Sequence, residues 1–231
     1  MKPELIGKQI PVLDKGFVEL QDMMGDDLAI VNAARTSFLG ESKGGDKDKK
    51  LLFYLMEHHH DGPFEFVQFR FRIKAPIMIW WQFVRHRTMS YNLQSGRYVE
   101  YDENEFYIPE TWRLQAKSNK QGSDGVLVDA VELTALLEEH YNKSYALYEQ
   151  ALAQGVAREQ ARLFLPAFAA YHTGCVSVDA RNLLHFLKLR TAPDAQWEIR
   201  QVALAIQEIV KEGLPWTFEA YQKFHLGVSQ P

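Results

Sequence analysis

Apolar and polar positions alternate loosely over residues 10–20, around a Lys15-Gly16 turn signal, and predict a short strand pair near the start of the chain. Asp26 and Asp27 then precede a stretch in which Leu28, Val31 and Ala34 or Arg35 recur at helical spacing, so a short helix with an acidic start is expected. Residues 40–50 have no apolar side chain and mix glycine with both charge signs, which predicts a mobile surface loop. Residues 51–62 predict a helix that stops at Gly62, with Pro63 beyond it. From Phe64 the period changes to two: Phe69, Phe71 and Ile73 share one face and Arg70, Arg72 and Lys74 the other, the signature of a half-buried strand. Pro76 fits the first turn of a following helix whose apolar face reads Ile77, Trp80, Trp81 and Val84. Gln82 and Arg85, three apart, would share a face of that helix.

The pattern beyond residue 98 predicts a short strand ending at Pro109 and a flexible loop over residues 117–125. A long amphipathic helix follows from Val128 to Gly155, with Val131, Leu133, Leu136, Leu137, Tyr141, Tyr145, Tyr148 and Leu152 on its apolar side. Residues 157–166 form a short helix that sets Arg158 and Arg162 at i,i+4, a like-charge pair that calls for an anion or a carboxylate nearby. A strand within residues 167–178 leads to Asp179, a cap for a helix with Leu183, Leu184 and Leu187 inward and Arg190 at its end. A last helix starts after Pro193 and Asp194 and ends at Gly213. Strands mixed with helices, and a helical C-terminal half, make this an α+β chain.

Composition narrows the class. With 231 residues and 46% hydrophobic content, the chain can bury one sizeable core, so residues 1–231 are expected to form a single domain. The formal net charge of −4 argues against a general nucleic-acid or membrane-surface binder. One cysteine, Cys175, fits a reducing compartment and excludes an internal disulfide. No apolar run suits a transmembrane helix, and MKPELIGKQI lacks a signal-peptide core, so a cytoplasmic protein is expected. His58, His59 and His60 invite a metal reading, but helical neighbours point about 100° apart and no separate ligand cluster completes a site, so no metal is expected.

Against this acidic background, residues 66–99 contain no Asp or Glu, yet hold Arg70, Arg72, Lys74, Arg85, Arg87 and Arg97. Within it, RHRTMSYNLQSGRY from Arg85 to Tyr98 is a poor core and a good anion site, because each guanidinium offers a charged planar fork that matches two phosphate oxygens. Neither glycine-rich phosphate loop, GxxxxGK before Ser or Thr, or GxGxxG, is present, so phosphate recognition falls to side chains. Cys175 lies in a strand of small and β-branched residues, where an inert buried thiol is expected rather than a nucleophile. Ser90 and Ser95 are expected to hydrogen-bond a ligand. A nucleotide or single-stranded RNA binder, stacking bases on Tyr91 and Tyr98, is the alternative to an enzyme.

The run Arg85 to Arg97 fills the pattern RHRxxSxNxxSxR at each of its seven fixed positions, and in this it resembles the flavin-dependent thymidylate synthases. AARTSF, LMEHHHDGPFEF, EFYIP, VDARNLLHFLKLR and AQWEI extend the likeness in family order from about Asp14 to about Tyr221. The resemblance implies a twisted, mainly antiparallel sheet flanked by helices, and a homotetramer with FAD sites shared between subunits. It implies conversion of dUMP to dTMP, with 5,10-methylenetetrahydrofolate giving the carbon, FAD carrying the reducing equivalents and NADPH reloading it. No enzyme cysteine is implied. Carried over by position, dUMP would meet Gln82, Phe83, Val84, Arg85, Leu93, Gln94, Ser95, Gly96, Arg97, Arg162 and Arg190, with Arg190 catalytic through the uracil ring. FAD would meet His60, Gly62, Arg85, His86, Arg87, Leu93, Asp179, Ala180, Arg181 and His185. Leu93 stands where Glu or Gln is frequent and Asp179 where Asn is, so a donor is lost at the second position.

Overall fold

The computed structural model of the chain describes residues 3–103, 105–116 and 123–226. A hairpin of β1 (Gln9–Val12) and β2 (Gly16–Met24) opens it, followed by α1 (Asp27–Thr36) and α2 (Gly45–Glu57). A 3-10 turn at Gly62–Phe66 leads into β3 (Gln68–Pro76), α3 (Ile77–Phe83) and β4 (Ser90–Leu93). Then come a small hairpin of β5 (Arg113–Gln115) and β6 (Ser123–Val126), the long α4 (Val131–Ala153) and the short α5 (Arg158–Ala161). The chain finishes with β7 (Tyr171–Asp179), α6 (Ala180–Arg190), α7 (Trp197–Gly213) and α8 (Pro215–His225). Five strands pair antiparallel in the order β1-β2-β3-β7-β4.

The period-two run does what strand geometry demands. Phe69, Phe71 and Ile73 are buried on one face of β3, while Arg70, Arg72 and Lys74 turn to the other. There they meet carboxylates: Asp22 and Glu19 on the neighbouring β2, and Glu105. Onto the apolar face α7 lays Val202, Ile206, Ile209 and Val210, and each such burial contributes about 1.5–3 kcal/mol. At the hairpin, a Cβ on Gly16 would lie 2.5 Å from the Lys74 carbonyl oxygen and 2.8 Å from that of Val12, so only glycine lets β2 close on β3 here.

Asp26 caps α1, its carboxylate accepting from the Ala29 N–H at 3.1 Å. The next residue, Asp27, turns inward and holds the start of α8, accepting from the N–H groups of Trp216 (2.9 Å) and Thr217 (3.0 Å) and from the Thr217 hydroxyl (2.6 Å). Burial pushes its pKa up, opposed by these three donors. A second, aromatic core joins α4 to the segment before β5 through Tyr101, Phe106, Tyr107, Tyr141, Tyr148 and Tyr171. Their hydroxyls are used: Tyr141 donates to the Tyr107 carbonyl at 3.0 Å, and Tyr145 to that of Tyr101 at 3.1 Å.

Several expectations give way. The charged run 40–50 is loop only to Gly44; its second half begins α2, and the carboxylate of Asp48 gathers Arg35, Ser42 and the Lys43 and Gly44 N–H groups. That helix ends at Glu57 rather than Gly62, because His59 takes a left-handed φ of 55°. On α3 the buried residues are Ile79, Trp80 and Phe83; Trp81 and Val84 are exposed. The described residues of 99–109 form no strand, only a bridge between Phe106 and Ala170, and aromatic packing rather than a ladder carries that segment. Of the loop expected over 117–125, residues 117–122 lie outside the described residues and Ser123–Val126 is β6. In α4 only the later apolar positions are buried; Val131, Leu133 and Leu136 are exposed. Helix α8 was not expected at all, because Gly213 and Pro215 read as a stop while Pro215 in fact opens the next helix. No helix among the described residues is long and apolar enough to cross a membrane.

Candidate active site

Helix α3 ends at Phe83, and the chain turns through Val84 to His86 before β4. That turn is pinned by Tyr91 of β4, whose hydroxyl is within 2.6 Å of the Phe83 carbonyl and 2.9 Å of the His86 carbonyl. Burial pushes the Tyr91 phenol up to about 12, so it stays a donor. The result is a sorted pair of faces: His86 points inward and is buried, while Arg85 and Arg87 are exposed. Unlike the cations of β3, neither Arg85, Arg87 nor Arg97 has a carboxylate partner among the described residues. The basic window therefore divides into a compensated structural half and an uncompensated half at the turn.

His86 meets the end of α6. The Nε of Arg190 donates to His86 Nε2 at 3.1 Å, which requires a neutral imidazole with its proton on Nδ1. Burial, then the charges of Arg190 and His185, hold the His86 pKa down to about 4. A folded-state pKa below the ordinary His value means stability that is complete above about pH 6.5 and is lost as pH falls toward 4, with a slope of up to about 1.4 kcal/mol per unit. Urea unfolding at pH 7 and pH 5 should accordingly show the parent losing about 1–2 kcal/mol more than His86→Gln. Equal losses in the two proteins would remove His86 as the cause.

Arg190 also lines a cleft of about 880 Å³ with Gln82, Tyr141, Phe168, Gln196 and Glu198. Its wall is a run of polar contacts: Gln82 Nε2 donates to Gln196 Oε1 at 2.6 Å, and Gln196 Nε2 to Glu198 Oε2 at 2.9 Å. Glu198 is 3% exposed and also accepts from Tyr107 and Arg113. Of these, only Gln82 and Arg190 were candidates in the sequence; Gln196 and Glu198 lie in the AQWEI segment, whose spacing alone carries no chemistry.

On the other side of α6 lies a cleft of about 790 Å³, within the range of small-molecule sites. Asp179, Arg181 and His185 line it, as do Lys188 of α6, His59, and Tyr221 and His225 of α8. Asp179 caps α6, accepting from the Asn182 N–H at 2.9 Å and its side-chain amide at 2.6 Å. Arg181 pairs with Glu65 and Asp61. His59 faces this cleft because of its left-handed backbone, whereas His60, the expected candidate, packs on Tyr54 at 5.8 Å. The Tyr221 hydroxyl is buried with no protein partner. Asp61 and Glu65 line the cleft too, so two cations, Arg181 and Lys188, share it with three carboxylates and three histidines; for a large, flat group such as FAD, Arg181, His185, Lys188 and Tyr221 would supply donors. The described residues contain no group of three or more His, Cys, Asp and Glu that could hold a metal ion.

A third group of candidates gathers elsewhere. Gly96 is buried against Tyr101, where a Cβ would come within 2.5 Å of the ring. The Tyr101 hydroxyl lies 2.9 Å from His172 Nε2 and beside the Arg162 guanidinium; burial raises its pKa and Arg162 opposes that rise. Among the described residues Arg162 is paired with no carboxylate, bonding the Glu159 carbonyl at 3.3 Å, while Arg158 is taken by Glu100. Arg97 stays exposed and lies over the Tyr98 ring at 5.4 Å. No hydrogen bond or ion pair among the described residues joins Arg97 or Arg162 to Arg190.

Of the remaining candidates, Phe83 and Ala180 can serve a ligand only through backbone. Phe83 stacks on Phe186 at 4.9 Å in the core, and Ala180 is buried with its N–H given to the Val67 carbonyl. Leu93 packs partly on the core, and Gln94 spends its amide oxygen on the Thr173 N–H at 3.4 Å. Gly62 is exposed beside the second cleft, and Ser95 accepts from the Arg97 N–H at 3.4 Å. Cys175 is half-buried rather than buried, on the polar face of β7 with Gln21 at 3.5 Å, and lines neither cleft.

The chain matches the family described as thymidylate synthase complementing protein over residues 19–216. It is 53% identical over 214 residues to a flavin-dependent thymidylate synthase of Thermus thermophilus, covering 93% of this chain and 78% of the relative. Against one of Thermosipho africanus it is 48% identical over 215 residues, 92% and 93% of the two chains. Among solved structures it resembles the UMP/dUMP methylase PolB from Streptomyces cacaoi, bound with 5-Br dUMP, at a TM-score of 0.84 and 34% identity, over 94% and 98% of the chains. With the family matched across most of its length, this chain belongs to the flavin-dependent thymidylate synthases.

Proposed function

We propose that this enzyme methylates dUMP to dTMP, taking the carbon from 5,10-methylenetetrahydrofolate, with FAD in the second cleft and NADPH as the reductant. The observation that carries the reading is the Arg190–His86 pair at 3.1 Å, where Arg190 lines the cleft of Gln82 and His86 leans toward His185 of the other, ring centres 6.4 Å apart. FAD, when bound, supplies the hydride that completes the methyl group. Arg190 holds positive charge where the pyrimidine ring gathers negative charge, and the neutral His86 fixes its direction without competing for that charge. Arg181, His185 and Lys188 would hold the anionic cofactor through charge and hydrogen bonds. In a homotetramer with shared sites, Arg97 and Arg162 of one copy would reach the dUMP held at the cleft of Arg190 in another.

Purified protein should take up FAD to near one per subunit and release tritium from dUMP labelled at the 5 position only when FAD, folate and NADPH are all present. Release without flavin would overturn the proposal. Cys175→Ala should keep turnover within about twofold of the parent, since the thiol lines neither cleft. A folded variant without activity would instead demand a cysteine nucleophile. The rival reading, a nucleotide or single-stranded RNA binder using Arg85, Arg87 and Arg97 with bases stacked on Tyr91 and Tyr98, is weakened because Tyr91 packs on the core and its hydroxyl is held by the Phe83 and His86 carbonyls.

A further inference from the structure

We propose that Glu198, acting through Gln196, sets the hydrogen-bonding polarity of Gln82, so that the cleft presents a carbonyl oxygen and selects a nucleotide with a hydrogen-bond donor at that point. The inference rests on the nucleotide reading of this cleft. Its origin is a directional constraint. Glu198 accepts from Arg113 and Tyr107 at Oε1 and from Gln196 Nε2 at Oε2, at 2.9 Å for the last, and donates nothing. The second N–H of the Gln196 amide faces Met78 Sδ at 4.0 Å, so only its oxygen is left for the next neighbour. Gln196 Oε1 therefore takes a Gln82 amide N–H at 2.6 Å, which fixes the Gln82 amide with its oxygen, beside its second N–H, left for a ligand. No protein donor among the described residues meets that oxygen, and Gln82 lines the cleft beside Arg190. Glu198 and Gln196 are positioning residues, and Gln82 is the group that touches the ligand. A deoxyuridine nucleotide offers two donors of the required kind, a ribose hydroxyl and the ring N3–H.

Replacing the carboxylate by an amide should reverse the whole relay. In Glu198→Gln the new side chain must still accept from Arg113 and Tyr107, so its nitrogen faces Gln196. Gln196 then turns its oxygen inward and its nitrogen to Gln82, which must present N–H to the ligand. The test is titration of the flavin-loaded protein with dUMP, with 2′,3′-dideoxyuridine monophosphate and with N3-methyl-dUMP. The parent should bind one analogue about tenfold more weakly than dUMP, the cost of one unpaired acceptor, and which analogue it is identifies the donor. Glu198→Gln should lose that discrimination, binding dUMP and the same analogue within about twofold. A steric penalty or a general loosening of the cleft would leave the ratio unchanged. Gln196→Leu, at a half-buried position, interrupts the relay without touching Glu198 and should also abolish the discrimination. The parent's ratio persisting in either folded variant would overturn the relay, as would a parent that distinguishes neither analogue. A parent that binds no dUMP at all would overturn the nucleotide reading beneath it.

Discussion

Arg190→Ala should lower dTMP formation by about 100-fold or more, with FAD uptake close to that of the parent. The guanidinium is at the C-terminal end of α6, half-buried, with its Nε given to His86 and its remaining donors available to the cleft that Gln82 lines. Burial lowers its pKa from the ordinary arginine value, but it remains charged, so the charge is held in a site where little water screens it. Loss of one such donor from developing negative charge costs two to three orders of magnitude in enzymes of many kinds. Arg190→Lys would keep the charge but lose the planar fork and should recover only part of the rate. Arg181 and His185, proposed to face FAD, lie earlier on the same helix and line the opposite cleft, so flavin absorbance should be retained. Tritium release equal in Arg190→Ala and parent would take Arg190 out of the chemistry. Loss of flavin and activity together would make its role structural.

Asp27→Ala should cost about 2–4 kcal/mol of stability, measured as a lower urea midpoint, and should weaken FAD binding as well. The carboxylate is 6% exposed and its three donors lie at the N-terminus of α8, beside a Thr217 that is wholly buried. Alanine leaves two backbone N–H groups and a hydroxyl with no acceptor in a place water does not reach, and it also removes a negative charge from the positive end of a helix dipole. Because Tyr221 and His225 reach the 790 Å³ cleft from α8, a helix that swings free takes part of the proposed cofactor site with it. A loss under 1 kcal/mol would show that apolar packing of Phe218 and Tyr221 holds α8 without the cap.

Much of this was legible along the chain because it depends on neighbours a few residues apart. Period two placed β3 and its two faces, Asp26 and Asp179 announced the helices they cap, and the absence of carboxylates from 66 to 99 marked the anion site. The thirteen positions from Arg85 to Arg97 identified the family. Less was legible where partners are distant in sequence. Nothing near Arg72 says that Glu19 neutralises it, and nothing near Asp27 says that α8, some 190 positions away, is what it caps. Helix α8 itself was hidden because Gly213 and Pro215 signal a stop and a start with the same residues. Tyr101, aligned by no periodic pattern, turns out to back Gly96 and to stand beside Arg162.

Local propensity placed most of the strands and helices, and residue chemistry made guanidinium groups, with no glycine loop and no cysteine nucleophile, the expected means of holding an anion. Tertiary structure decided which charges remain free to act. Three cations of β3 are cancelled by carboxylates from other segments, while Arg85, Arg87 and Arg97 are not. It also decided that His59 rather than His60 meets the cleft, and that a carboxylate at Glu198 dictates which end of the Gln82 amide a ligand sees. Electrostatic and hydrogen-bond outcomes depend on distances of a few ångströms across the fold, and such distances are set only when all the elements have packed together.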